Sequence, residues 1–219
     1  GLAHVSAECR DGQVISVTAQ GEPAFVAERG LVAKLPDYGE VPYDLVWSGG
    51  FYAVVDATPL GFDLVRDEES ALAAFGDEFM RTVHPTFGVE HPALGFAGPL
   101  PFMHFMGPLE AVEDDGFRAR SATYVHPGVI CRSPTGTGTS ARLALMAADG
   151  LVSKDSWLET ISPRQARFTG TVLGTTTSGG RPALDTAITG RAWTLSHLQV
   201  LVDLDDPMVD ISDLEHLLG

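Results

Sequence analysis

A chain of 219 residues, 44% hydrophobic and 20% charged, can bury a sizeable core as one large domain or two small ones. Its 29 acidic against 14 basic residues give a formal charge of −15, which repels phosphate backbones and anionic headgroups and argues against nucleic acid and membrane as partners. Two cysteines far apart in sequence, Cys9 and Cys131, exclude a disulfide scaffold and make a cytoplasmic setting the expectation.

In chain order, most segments read as strand. "QVISVTAQ" (13–20), "AFVAERGLVAKL" (24–35), "DLVWSGGFYAVVDA" (44–57) and "HFMG" (104–107) are rich in β-branched or aromatic residues and punctuated by Gly and Pro. The segments "FRARSATYVH" (117–126), "ARFTGTVLGTTT" (166–177), "ALDTAITGRAW" (183–193) and "HLQVLVDL" (197–204) follow the same pattern. Helical spacing appears at 67–83, where Leu72, Phe75, Phe79 and Val83 recur on one face and Asp67 is a candidate N-cap. A second helix is expected over 140–150, stopped by Gly150, and a short tail helix over 211–218. No apolar run spans a bilayer, and the first residues, from Gly1, show no signal-peptide pattern. No internal repeat or linker divides the chain, so residues 1–219 are expected to fold as a single α+β unit.

The second helix is unusual. From Ala141 to Ala148 its only charged residue is Arg142, and a helix apolar on every face is buried on every side. With so many strands available, the expected architecture is a mostly antiparallel β-barrel wrapped around this central helix. Its N-terminus then becomes a polar opening into a dry interior.

That opening carries the sequence "CRSPTGTGTSA" (131–141). The leading N–H groups of a helix have no partner within it, and the macrodipole adds partial positive charge there. Gly136 and Gly138 let the main chain approach a ligand, while Thr135, Thr137, Thr139 and Ser140 supply hydroxyls. The result is a cradle suited to a carboxylate or phosphate. Turn chemistry alone fits a well-capped helix without a ligand equally well. Gly136, Gly138 and Ala141 also satisfy the dinucleotide pattern G-x-G-x-x-A. That pattern needs a strand running straight into the turn and an acid ending the next strand; Pro134 interrupts the approach and only Glu159 offers the acid. The seven histidines never fall at i, i+4 spacing, so no metal and no cofactor is expected.

The stretch "RSPTGTGTSARLA" (132–144) resembles the C-terminal signature of the proline racemase family, D-R-S-P-C-G-T-G-T-S-A. Further landmarks resemble the family in order: "SGGFYAVVDA" (48–57), "EHP" (90–92), "FTGTV" (168–172), "ITGRAW" (188–193) and "DLDDPM" (203–208). The resemblance implies one half of a diaminopimelate epimerase-like fold, in which each half wraps a barrel around a helix and the active site lies between the halves. It implies a small imino or amino acid carboxylate as ligand, held by Gly136 and Thr137, with Phe51 lining the pocket and Cys131 beside the substrate amine.

The sequence departs from the family at three places. Thr135 stands where the second catalytic cysteine is found, and an alcohol is too weak an acid to act as a reversible thiolate-like base. Within the family this pairing resembles the trans-3-hydroxy-L-proline dehydratases, where one cysteine removes the α-proton and the 3-hydroxyl leaves as water. Cys131 stands where the family has an Asp that meets the ring ammonium. The family's first-half motif Met-Cys-Gly-His-Gly-Thr has no counterpart in residues 1–130, so a partner half or a second copy is expected to supply the base, with 197–219 packing toward it. The expectation is a dehydratase-like lyase, with Thr135 in the catalytic position, or a racemase-type isomerase; the alternative is a non-catalytic binding or assembly module. His91 is expected in a solvated loop, Arg191 as an ion-pair partner, and Met103 and Met106 as packing.

Overall fold

The computed structural model describes residues 4–199 together with 201, 203, 205 and 207. Twelve strands form one large mixed sheet: β1 Val5–Arg10, β2 Gln13–Gln20, β3 Phe25–Leu35, β4 Gly39–Trp47, β5 Phe51–Asp56, β6 Phe102–Met106, β7 Glu110–Val112, β8 Gly116–Val125, β9 Val129–Ile130, β10 Trp157–Ile161, β11 Arg167–Ser178 and β12 Arg181–Gly190. Their order is β1-β2-β12-β11-β10-β8-β6-β5-β4-β3, with β7 and β9 paired to β8. Two helices complete the fold, α1 Glu69–Val83 and α2 Gly136–Ala148.

Most pairings are antiparallel. The two exceptions are β5–β6 and β8–β10, and each is the product of a helical crossover, through α1 and α2 respectively. Parallel neighbours need such a long connection, whereas antiparallel ones can be joined by a tight turn. The dinucleotide-domain reading fails because β9 turns back antiparallel along β8 before α2, so β8, the parallel partner of β10, does not run straight into the glycine turn. Apart from β8–β10, the pairings over 117–177 are antiparallel. Glu159, its candidate acid, lies in β10 and is held by Arg118 at 2.5 Å and Arg167 at 2.8 Å.

The helices use the sheet differently. α1 is amphipathic: Leu72, Phe75, Phe79, Met80 and Val83 are buried in an aromatic core with Phe51, Phe105 and Tyr124. α2 is buried all round. Ala141, Ala144 and Leu145 pack with Val46, Tyr52 and Val54 on one side, while Leu143 and Met146 pack with Leu158, Val172 and Leu184 on the other. Ala24, just before β3, exchanges backbone hydrogen bonds of 2.9 and 2.7 Å with Leu184 of β12, which brings distant parts of the strand order together.

Several boundaries differ from the sequence expectations. α2 begins at Gly136 rather than at 140, so the glycine-threonine stretch is its first turn and not a loop before it. Glycine and threonine are poor helix formers, and burial of the downstream turns overrides that local preference. Asp67 is not the N-cap of α1; a 3-10 turn over Arg66–Glu68 precedes the helix. Residues 197–199 form no strand, the rest of the strand expected over 197–204 falls partly outside the described residues, and the tail helix over 211–218 lies wholly outside them. No helix among the described residues is long and apolar enough to cross a membrane.

Candidate active site

The chain enters α2 by a constrained path. Pro134 is buried, Thr135 takes φ 69° as the N-cap residue, and Gly136 opens the helix. A β-branched residue at positive φ is an outlier whose strain is of order about 1–3 kcal/mol, and such strain clusters at functional sites. Thr135 accepts no capping bond at its side chain, and its Oγ1 is buried without a partner among the described residues. Its carbonyl does accept, from the Thr139 N–H and hydroxyl, both at 2.9 Å. The first turn of α2 contains no acidic residue and receives no side-chain cap.

Gly136 and Thr137 line a cavity of about 370 Å3. Ser140 and Gln20 add polar atoms, Val17, Ala19, Phe168 and Ile188 form apolar walls, and Arg191 stands in the lining. A pocket of this size suits a small ligand with one charged end and an apolar body. The helix mouth therefore faces open space and is not filled by its own side chains.

Surrounding hydroxyls fix the turn. Ser48 Oγ donates to the Thr137 carbonyl at 2.8 Å, and Tyr52 Oη lies 2.5 Å from Thr137 Oγ1. Ser140 pairs with Thr186 at 2.7 Å, and Thr139 with Thr160 at 2.8 Å. Behind the turn, Gly138 passes so close to His104 that a Cβ there would sit 2.6 Å from Nδ1. His104 is fully buried and paired with Thr123 Oγ1 at 2.8 Å. Burial, with the Arg142 charge adding to it, pushes the imidazole pKa down to about 3. Arg142 is itself buried, donating to the Gly107 carbonyl at 2.6 Å; burial lowers its pKa to about 10, against the raising effect of Asp56.

The expected site residues separate. Gly136 and Thr137 sit together on the cavity, with Thr135 immediately before them. Cys131 is half-buried after β9, near enough to Tyr52 for its charge to raise the phenol pKa, but it is not in the cavity lining. Phe51 is 2% exposed in the α1-side core, against Trp47 and Phe87, and lines no part of the cavity. The aromatic at the helix mouth is its neighbour Tyr52. Successive strand residues point to opposite faces, and that parity was the available signal. His91 is not solvated: it lies 5% exposed between Trp47 and Phe25, accepting the Ala93 and Leu94 N–H groups at 3.1 Å. Arg191 stacks over Trp193 rather than joining an ion pair among the described residues. Met103 is buried in the α1-side core, and Met106 packs against the separate cluster of Val46, Tyr52 and Val54. Among the described residues no group of His, Cys, Asp or Glu could hold a metal ion.

The proline racemase family profile matches residues 1–210. The chain belongs to this family. Among its relatives, the 4-hydroxyproline 2-epimerase of Allorhizobium ampelinum is 34% identical over 208 residues, covering 95% of this chain and 58% of that protein. A Marinobacter nauticus protein is 47% identical over 219 residues, covering 100% of this chain and 62% of its own length. The chain thus spans about three-fifths of the curated relatives it matches. Among solved structures, a hydroxyproline epimerase from Agrobacterium vitis with bound trans-4-hydroxy-L-proline superposes with a TM-score of 0.84 at 33% identity, over 94% of this chain and 58% of that one. A probable proline racemase from Agrobacterium radiobacter with bound carbonate also gives 0.84, at 31% identity over 95% and 60%.

Proposed function

We propose that residues 1–219 form a single folded unit whose sheet closes through the Ala24–Leu184 bridge into a barrel around α2, and that the α2 mouth binds the carboxylate of a hydroxyproline-like imino acid. The observation that carries this reading is the uncapped, acid-free N-terminus of α2 opening on a cavity through Gly136 and Thr137. Amide donors fixed in a partly dry site stabilise charge that grows during α-proton removal.

We read the reaction as elimination, on the ground that Thr135 stands where the resemblance puts the second cysteine. In this reading a cysteine thiolate from polypeptide beyond these 219 residues takes the α-proton. The released electron pair forms the Cα–Cβ double bond, the 3-hydroxyl leaves with a proton as water, and the enamine tautomerises to a cyclic imine. Thr135, in the second cysteine's place, does not act as a base, because its alcohol is too weakly acidic to alternate with a thiolate. No cofactor takes part, and the two free cysteines fit a cytoplasmic setting. The second reading is 2-epimerisation, which the names of the hydroxyproline epimerase relatives favour.

Incubating the full-length protein with trans-3- and trans-4-hydroxy-L-proline in D2O separates the two. Loss of water from the 3-hydroxy substrate, with imine formation followed by NMR, is the expected result. Conversion of the 4-hydroxy substrate to its 2-epimer, with deuterium at Cα and no imine from either compound, overturns elimination.

A further inference from the structure

We infer that Tyr52 is a positioning residue for the helix mouth: by donating its hydroxyl proton to Thr137 Oγ1, it leaves the threonine hydroxyl proton free to be donated to a carboxylate in the cavity. This rests on the carboxylate reading above and adds a side-chain donor to the backbone amides.

The direction of the hydrogen bond follows from what surrounds each oxygen. Tyr52 is fully buried, its ring stacked on Phe102 at 4.6 Å between centroids. Its hydroxyl has one hydrogen-bond partner among the described residues, Thr137 Oγ1. If Thr137 donated, the phenol proton would be left in an aromatic interior with no acceptor, a cost native structures avoid. The phenol is also the stronger acid of the two and hence the better donor. Burial holds the phenol protonated by raising its pKa; the Thr137 hydrogen bond works against this and Cys131 reinforces it.

With Oγ1 accepting from Tyr52, the threonine proton remains to be placed. It has no acceptor among the described residues, and Thr137 lines the cavity beside Gly136. The other end of the residue is held as well, because Ser48 Oγ donates to the Thr137 carbonyl. Ser48 and Tyr52 flank the Gly49-Gly50 turn between β4 and β5, and Gly49 at φ 94° seats against the Thr137 methyl, 3.7 Å from where a Cβ would lie. A single turn therefore grips this threonine at its hydroxyl, methyl and carbonyl.

The test is calorimetric binding of L-proline and of L-prolinamide to the full-length protein. L-Proline has no hydroxyl to eliminate, and the amide has lost the carboxylate charge. Tyr52→Phe is expected to weaken L-proline binding about tenfold, the scale of one hydrogen bond to a charged group, and to leave L-prolinamide within about twofold. In a Thr137→Val background the same change is expected to cost nothing further, since the two residues act as one unit. Thr137→Ser, which keeps the hydroxyl but loses the methyl held by Gly49, is expected to retain most of the L-proline affinity that Thr137→Val loses, which separates loss of the hydroxyl from a folding defect. Unchanged L-proline affinity in Tyr52→Phe, or an equal loss with Val at 137, overturns this inference alone. Failure of the wild-type protein to bind L-proline overturns the carboxylate reading together with it.

Discussion

α1 and α2 hold equivalent places in the chain, each crossing between two parallel strands, yet their N-termini are treated in opposite ways. At α1 the chain supplies its own anions. The Glu68 carboxylate accepts the Asp63 and Val65 N–H groups at 3.1 and 3.2 Å, and Glu69 begins the helix, paired with Arg164. Neither helix receives a side-chain cap, but at α2 the first turn also holds no acid and the N-cap residue is strained. A protein that sets carboxylates at one helix start and keeps them away from the other leaves the second positive end for an anion that comes from outside. The bodies of the helices differ in the same sense: α1 shows one face to a core of aromatic rings, while α2 is enclosed and carries its polar contacts inside.

The contrast can be broken most forcefully at α1. Phe75→Ala removes a fully buried ring from the aromatic core and is expected to cost about 3–5 kcal/mol, read from chemical denaturation. L-proline affinity at low temperature, where the variant remains folded, should not change. An affinity loss would mean that α1 also shapes the site.

Acidification tests the polar surroundings of α2. His104 has a folded pKa of about 3 against an ordinary 6.5, so the unfolded state binds a proton that the folded state does not. Stability is therefore expected to fall as pH drops from about 6.5 to about 3, with a limiting slope of about 1.4 kcal/mol per pH unit, and to lose nothing further through this residue below that window. Stability curves of wild type and His104→Gln should converge toward acid; parallel curves contradict the burial argument.

Gly138→Ala drives a methyl group against His104 and is expected to destabilise by about 1–3 kcal/mol while displacing the mouth, with weaker L-proline binding. Thr137→Asp makes α2 resemble α1 by giving its first turn a carboxylate. It is expected to abolish L-proline binding with a stability change within about 1 kcal/mol. The smallest effect is Glu68→Ala, expected to cost about 0.5–1 kcal/mol in thermal unfolding and to leave binding untouched.

Much of this was legible in the sequence, for identifiable reasons. β2 matches its expected span because hydrophobic periodicity and turn residues coincide there, and Gly150, at φ 71°, ends α2 as expected. The all-round burial of α2 could be read from its composition because a single charged residue interrupts it. The start of α2 was not legible: threonine and glycine resemble a loop until the following turns are packed. β10 is hard to read because it is five residues long and carries a central glutamate, whose charge is matched only once Arg118 and Arg167 pair with it. β1 was missed because it is exposed along its whole length, so no burial pattern marks it. At the site, the motif drew attention to Phe51, while strand parity turned Tyr52 to the helix. Ser48 and Tyr52 acquire a role only through Thr137, far along the chain, and no local signal reports that partnership.

The Ala24–Leu184 bridge carries a consequence for synthesis on the ribosome. One partner emerges near the start of this chain and the other near its end, with α2 made between them. The two backbone hydrogen bonds cannot form until the later residue is free of the exit tunnel, and until then the apolar residues of α2 that pack with Leu184 stay uncovered. Chaperone capture during translation should be heaviest in that interval and should cease once β12 has been released.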